Sequence, residues 1–179
     1  MIAVIYSRKA LAVLCVAAIL LGSGLHFLHD LWPNFLTALI APVNESLWEH
    51  VKLLIWPYLA AAVILTWGRP GGLRPWLLSL VVMTAVMLAV AYVYHIILGC
   101  DALWFDLILY ALVMILGFWL PTRFSGPFDG TLWTAAAVAG VALVVLSFWF
   151  TFHPPETRLF ADLSQKPETS ASTSQGSLV

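Results

Sequence analysis

Apolar residues in this chain neither alternate nor follow a narrow helical stripe. They run in blocks of about 20, the length a helix needs to cross a hydrocarbon core, and short segments between the blocks carry most of the polar residues. Five blocks qualify, at about 10–28, 47–67, 76–98, 102–120 and 131–152. A helix that is apolar on every side belongs inside a protein or inside a bilayer. The pattern therefore predicts an all-α membrane protein, a five-transmembrane-helix bundle forming one domain over residues 1–160. The tail at 161–179 turns to Ser, Thr, Gln and Gly, has little to bury, and is expected to be disordered.

Composition removes the soluble alternative. The 179 residues are 62% apolar and 9% charged, with nine Trp, too little polar surface for a water-soluble domain. Arg8 and Lys9 ahead of an apolar run imitate an export signal, but the run continues through Leu28 and four more blocks follow. The first helix is therefore expected to be retained as an anchor.

Basic residues set the expected orientation. Arg8 and Lys9, then Arg69 and Arg74, then Arg123 fall at alternate ends of the spans, so those ends face the cytoplasm. The amino terminus is then cytoplasmic and the carboxyl terminus extracytoplasmic, in a multi-pass protein of the cell (inner, cytoplasmic) membrane. Five positive residues and one acid (Asp129) lie inside, against three positive residues and eight acids outside. His26, His29, His50, His95 and His153 all lie at or near the outer side. Lys and Arg obey an orientation rule that histidine does not, so any chemistry is expected to face outward.

The densest polar cluster is Pro42-Val-Asn-Glu-Ser-Leu-Trp-Glu-His-Val-Lys52, at the head of the second span. Ionisable groups near hydrocarbon are costly and tend to be kept for a task. Part of the block has a structural explanation, because Ser46 and Glu49 have the spacing of a capping box, in which Ser46 caps the Glu49 amide and Glu49 reaches back. Capping needs one acid; Glu45, His50 and Lys52 are surplus to it. At about 1.5 Å per residue, His26, Glu49, His50, His95 and Asp106 reach one layer of the bundle. Glu49 or Glu45 is a candidate general base with His50 as a proton carrier, and His26, His50, Glu49 and Asp106 are candidate ligands for a divalent metal such as zinc. Tyr92 and Tyr110 share helical faces with His95 and Asp106 and are candidate supporting donors. Neither H-E-x-x-H, C-x-x-C, G-x-S-x-G nor a phosphate loop occurs.

Three further features shape the bundle. Pro57 removes a backbone hydrogen bond inside the second span and is expected to kink it. Phe35 to Ala41 is too short to span and is expected to form an interfacial or re-entrant lid. Cys15 and Cys100 lie at different depths and are not expected to pair.

The segments Leu25-His-Phe-Leu-His-Asp30, Pro42 to Leu53 with Trp56-Pro57, and Phe150-Thr-Phe-His-Pro-Pro155 with Leu159-Phe160 and Asp162 resemble a family of small bacterial and archaeal integral membrane proteins of unknown function. The resemblance, centred on the PVNESxWEHxK block, implies fold and membrane location and no activity. The family pattern has a tyrosine where this chain has His153 and an aromatic or hydroxyl residue near His95. That leaves His26, Glu45, Glu49, His50 and Asp106 as the better site candidates.

Three function classes follow. One is a membrane-embedded, metal-dependent hydrolase or transferase acting on a lipid or membrane-borne substrate; another is a small ion- or proton-coupled transporter; the third is a structural or accessory membrane subunit. The expected partner is the lipid bilayer, with a second copy of the chain or a membrane-complex subunit compatible with it, and nothing indicates nucleic acid. The orientation is checked at Cys100, which a membrane-impermeant maleimide should label in intact cells. Labelling only after permeabilisation would refute it.

Overall fold

The computed structural model describes residues 6–69 and 71–165. The described residues form seven α-helices and no strand: α1 (Arg8–Leu25), α2 (Leu28–Leu31), α3 (Phe35–Ile40), α4 (Val51–Thr66), α5 (Arg74–Ala91), α6 (Leu103–Trp119) and α7 (Thr131–Phe152). A π-helical turn, Tyr92–Ile97, prolongs α5, and a 3₁₀ turn, Leu120–Arg123, prolongs α6. Residues 161–165 form a turn in which Asp162 accepts from the Ser164 amide. The rest of the expected polar tail, 166–179, lies outside the described residues.

Four helices are long and apolar enough to cross a membrane: Arg8–Leu25, Arg74–Ile97, Leu103–Arg123 and Thr131–Phe152. The block expected at 47–67 differs. Its helix begins at Val51 and has 16 residues, about 24 Å of rise against a hydrocarbon core of about 30 Å. It is also the most enclosed helix, with ten buried residues including Lys52 and Tyr58. A helix jacketed by other helices need not match the bilayer thickness on its own.

Two prolines and two tyrosines tie α4 to α6. Pro57 has no N–H for the Leu53 carbonyl, and the Tyr110 hydroxyl of α6 donates to that carbonyl at 3.2 Å. Pro121 likewise leaves the Gly117 carbonyl without its usual i+4 donor, and the Tyr58 hydroxyl of α4 donates to it at 2.8 Å. Each helix thus supplies the hydrogen that the other's proline removes, the kind of repair that makes proline tolerable in a membrane helix. The same hydroxyl hydrogen is shared with the Ala18 carbonyl of α1 at 3.3 Å, and the approach needs Gly22. A Cβ at Gly22 would clash with the Tyr110 oxygen. Small residues govern the other close approach too, since a Cβ at Gly140 of α7 would meet Leu77 of α5 at 2.9 Å.

The two ends of the bundle are closed differently. At the end holding Arg69 and Arg74, Trp76 donates to the Tyr6 hydroxyl at 2.8 Å and Arg74 donates to the Phe128 carbonyl at 2.7 Å. At the other end α3 packs on α4 and α7, and the chain after α7 folds back. Trp48 donates its amide to the Leu159 carbonyl at 3.2 Å, and its ring meets Phe150 and Phe160 at 5.4 and 5.2 Å.

The proline–tyrosine exchange predicts a coupling. Tyr110→Phe should cost about 1 kcal/mol of stability in detergent, and Pro57→Ala, which returns a donor to Leu53, should remove at least half of that cost in the double variant. Strict additivity of the two changes in a double-mutant cycle would refute the exchange.

Candidate functional site

The layer that holds the candidate residues is fixed by the contact of α1, α4 and α6 at Gly22, Leu53 and Tyr110. One helical turn from that contact, toward the α3 end, lies His26, four residues after Gly22. His50 is three residues before Leu53, and Asp106 is four before Tyr110. All three therefore step up from one junction on the same helical faces. The two imidazole rings meet at 5.3 Å between centroids.

Glu45 completes the cluster from the loop before α4. Its carboxylate lies 3.3 Å from His50 Nε2 and 3.9 Å from His26 Nε2. Among the described residues, His26, Glu45 and His50 form the one group whose metal-ligating atoms, one from each residue, all lie within 4.8 Å of one another. His50 Nδ1 contacts the Ser46 carbonyl at 2.8 Å. A carbonyl only accepts, so Nδ1 carries a hydrogen, which leaves Nε2 as the ring atom that faces Glu45 and His26. His26 Nδ1 is buried and has no hydrogen-bond partner. The His50 imidazole holds the Glu45 carboxyl below the usual carboxylate range, against partial burial and the like charge of Asp162. The cluster is accessible, with the side chains of His26, His50 and Glu45 29%, 28% and 49% exposed.

Glu49 and Lys52 are placed elsewhere and have a different task. Lys52 is wholly buried, 2.6 Å from a Glu49 oxygen. Its ammonium also donates to the carbonyls of Ala38 and Ala41, at 2.7 and 3.3 Å. Those carbonyls close the carboxyl end of α3, where helical acceptors are left over and a cation is favoured. The oxygen that meets Lys52 also accepts from the Val43 amide at 3.0 Å, and the other accepts from Thr151 of α7 at 3.2 Å. Both oxygens of Glu49 are therefore engaged in fastening α3 and the 41–43 strand of chain to α4 and α7. The expected capping box is half formed. Ser46 accepts from the Glu49 amide at 3.3 Å, but Asn44 occupies the Ser46 amide at 3.0 Å and Lys52 draws the Glu49 carboxylate away.

The remaining candidates also separate. Asp106 contacts His95 Nε2 at 2.8 Å rather than joining the His26 cluster. Tyr110 serves Leu53 and Ala18, not Asp106. His29 contacts Thr37 at 3.0 Å and His153 stacks on Trp149 at 4.5 Å, and both cysteines are free. The sequence reading did not foresee the Ser46 carbonyl, Thr151 and the α3 carbonyls as partners. Backbone acceptors carry no residue-type signal, and Thr151 lies 102 positions from Glu49.

A family model described as a family of unknown function (DUF6512) matches residues 3–166. No curated protein and no solved structure matches the chain.

The buried pair predicts asymmetric damage. Lys52→Met strands a buried carboxylate and should cost about 3–5 kcal/mol, collapsing the yield of folded protein; Glu45→Gln, at an accessible site, should leave the melting temperature within a few degrees. Equal tolerance of the two substitutions in a detergent melting assay would refute the division of labour.

Proposed function

The chain belongs to the DUF6512 family of unknown function, and from its site we propose a metal-dependent, membrane-embedded hydrolase or transferase acting on a lipid or other membrane-borne substrate. It spans the cytoplasmic membrane five times, with α4 as the enclosed fifth span, the amino terminus inside and the carboxyl terminus outside. The observation that carries this reading is the convergence of two imidazoles and one carboxylate, His26, His50 and Glu45.

That donor set matches divalent zinc. Two histidines and a glutamate leave a fourth position for water or substrate, the pattern of catalytic rather than structural zinc sites. Ligands of a bound ion would lie somewhat closer together than the present 4.8 Å spread, a rotamer-scale adjustment for accessible side chains. The Ser46 carbonyl on His50 Nδ1 is the kind of outer support that orients a ligating imidazole. Glu45 is the ligand, its carboxylate facing both imidazoles at 3.3 and 3.9 Å.

Membrane-borne substrate is supported by the surroundings. Phe27, Leu31, Trp32, Phe35 and Leu36 are large, apolar and exposed on the segment next to His26, the composition of a surface in contact with lipid. A polar head group can reach the cluster while its chains stay among these residues. The purely structural alternative predicts that the cluster binds no metal.

Detergent-purified protein loaded with zinc and desalted should hold about one zinc per chain. His26→Ala and Glu45→Gln should each lower affinity tenfold or more, since even changes around a metal's ligands cost about 10- to 100-fold, with the size-exclusion profile unchanged. Zinc absent from the folded protein, or bound equally by both variants, would defeat the proposal.

A further inference from the structure

We infer that an uncovered flank of α4 binds one anionic glycerophospholipid, with its chains against Val63, Ile64 and Trp67 and its phosphate on Arg69. The inference is independent of the metal site, which lies at the other end of α4.

The most enclosed helix of the bundle carries one exposed stripe. Ala60, Val63, Ile64 and, just past the helix end, Trp67 are exposed, while Ala61, Ala62 and Thr66 on the same turns are buried. The spacing i, i+3, i+4 and i+7 is that of a single helical face. Four residues before Ala60 on that face, Trp56 is covered, donating to the Leu39 carbonyl of α3 at 3.2 Å and stacking on Phe148 of α7 at 5.5 Å. Cover by α3 and α7 therefore stops one turn into the face, and the rest is left to hydrocarbon.

An apolar stripe alone would accept any acyl chain; the end of this one is more selective. Val63, Thr66, Trp67, Arg69 and Leu73 line a groove of about 450 Å³, a volume in the range of small-ligand sites, about 300–1,000 Å³. Val63 and Trp67 belong to both the stripe and the groove, so the two surfaces are continuous. Arg69 supplies the groove with a fixed positive charge.

The Arg69 guanidinium is held in place without being neutralised. Its amide donates to the Thr66 carbonyl and its carbonyl accepts from the Gly72 amide, both at 3.0 Å. The guanidinium lies over the Tyr6 ring at 5.4 Å, and Trp76 holds the Tyr6 hydroxyl at 2.8 Å. Among the described residues no carboxylate comes within 4.0 Å of Arg69, whereas Arg74 faces Asp129 at 4.0 Å and donates to the Phe128 carbonyl. A guanidinium stacked by its face keeps its edge N–H groups for an oxyanion, and paired bonds to phosphate suit that geometry.

Charge and shape together name the occupant. A ligand that fills both surfaces carries a permanent negative charge beside long apolar chains. In the orientation proposed above the groove opens to the cytoplasmic leaflet, where basic pockets between spans meet anionic head groups. A second copy of the chain fits less well, because the one acid on this side, Asp129, already faces Arg74.

Native mass spectrometry of the delipidated full chain in detergent, titrated with phosphatidylglycerol or with phosphatidylcholine of the same chains, tests the site. Wild-type protein should bind one phosphatidylglycerol ahead of any further lipid and prefer it to phosphatidylcholine. Arg69→Gln should weaken that first binding about fivefold, the scale of one arginine at an anionic surface, and Arg123→Gln, outside the groove, should change it by less than about twofold. Val63→Trp, which fills the groove and spares the arginine, should weaken it as well. Equal losses in Arg69→Gln and Arg123→Gln would reduce the binding to general surface charge and overturn the inference. So would undiminished binding in Arg69→Gln and Val63→Trp, or a lipid-free dimer that Val63→Trp makes monomeric, since the flank would then be an interface between copies.

Discussion

A buried ammonium and a buried carboxylate, Lys52 and Glu49 at 2.6 Å, organise one end of this bundle. Each charge is too costly to bury alone, and their mutual attraction offsets the loss of water only when the remaining donors and acceptors are also used. Here they are. Lys52 takes the terminal carbonyls of α3, and Glu49 takes the Val43 amide and Thr151. A six-residue helix that could not persist alone is fixed on α4 and α7 by these bonds, aided by Trp56 donating to the Leu39 carbonyl at 3.2 Å.

That fixed end has a consequence four residues away, at Glu45. With Glu49 turned inward to Lys52, the loop that precedes it presents Glu45 to the other side of α4, where His50 and His26 stand. The polar block therefore divides at the turn that leads into α4, where the neighbouring residues Glu49 and His50 face different partners. One half holds the fold and is closed to solvent; the other is accessible and has unspent donors. The proline–tyrosine exchange between α4 and α6 sets the height of that second half. Because Tyr110 must reach both Leu53 and Ala18, α1, α4 and α6 meet at one level and bring His26, His50 and Asp106 to the next.

Much of the fold was legible in the sequence. Four apolar blocks became helices of spanning length, Pro57 lies within α4 as expected, and the short apolar run at 35–41 became the capped helix α3. The site was legible in part. His26, Glu45, His50 and Asp106 were singled out as site candidates, but Glu49 had equal standing with them. Composition and spacing give depth and not direction, and in helices apolar on every side no stripe marks which face meets which neighbour.

The sequence by itself determined the all-helical class, most of the blocks that become helices, and the level of each polar residue along its helix, because apolar run length and helix rise fix those quantities locally. Only the tertiary structure decided which polar groups meet. Glu49 went to Lys52, Asp106 to His95 and Glu45 to the two histidines. Those choices follow from helix order, from prolines repaired by tyrosines of another helix, and from backbone carbonyls that no residue type announces.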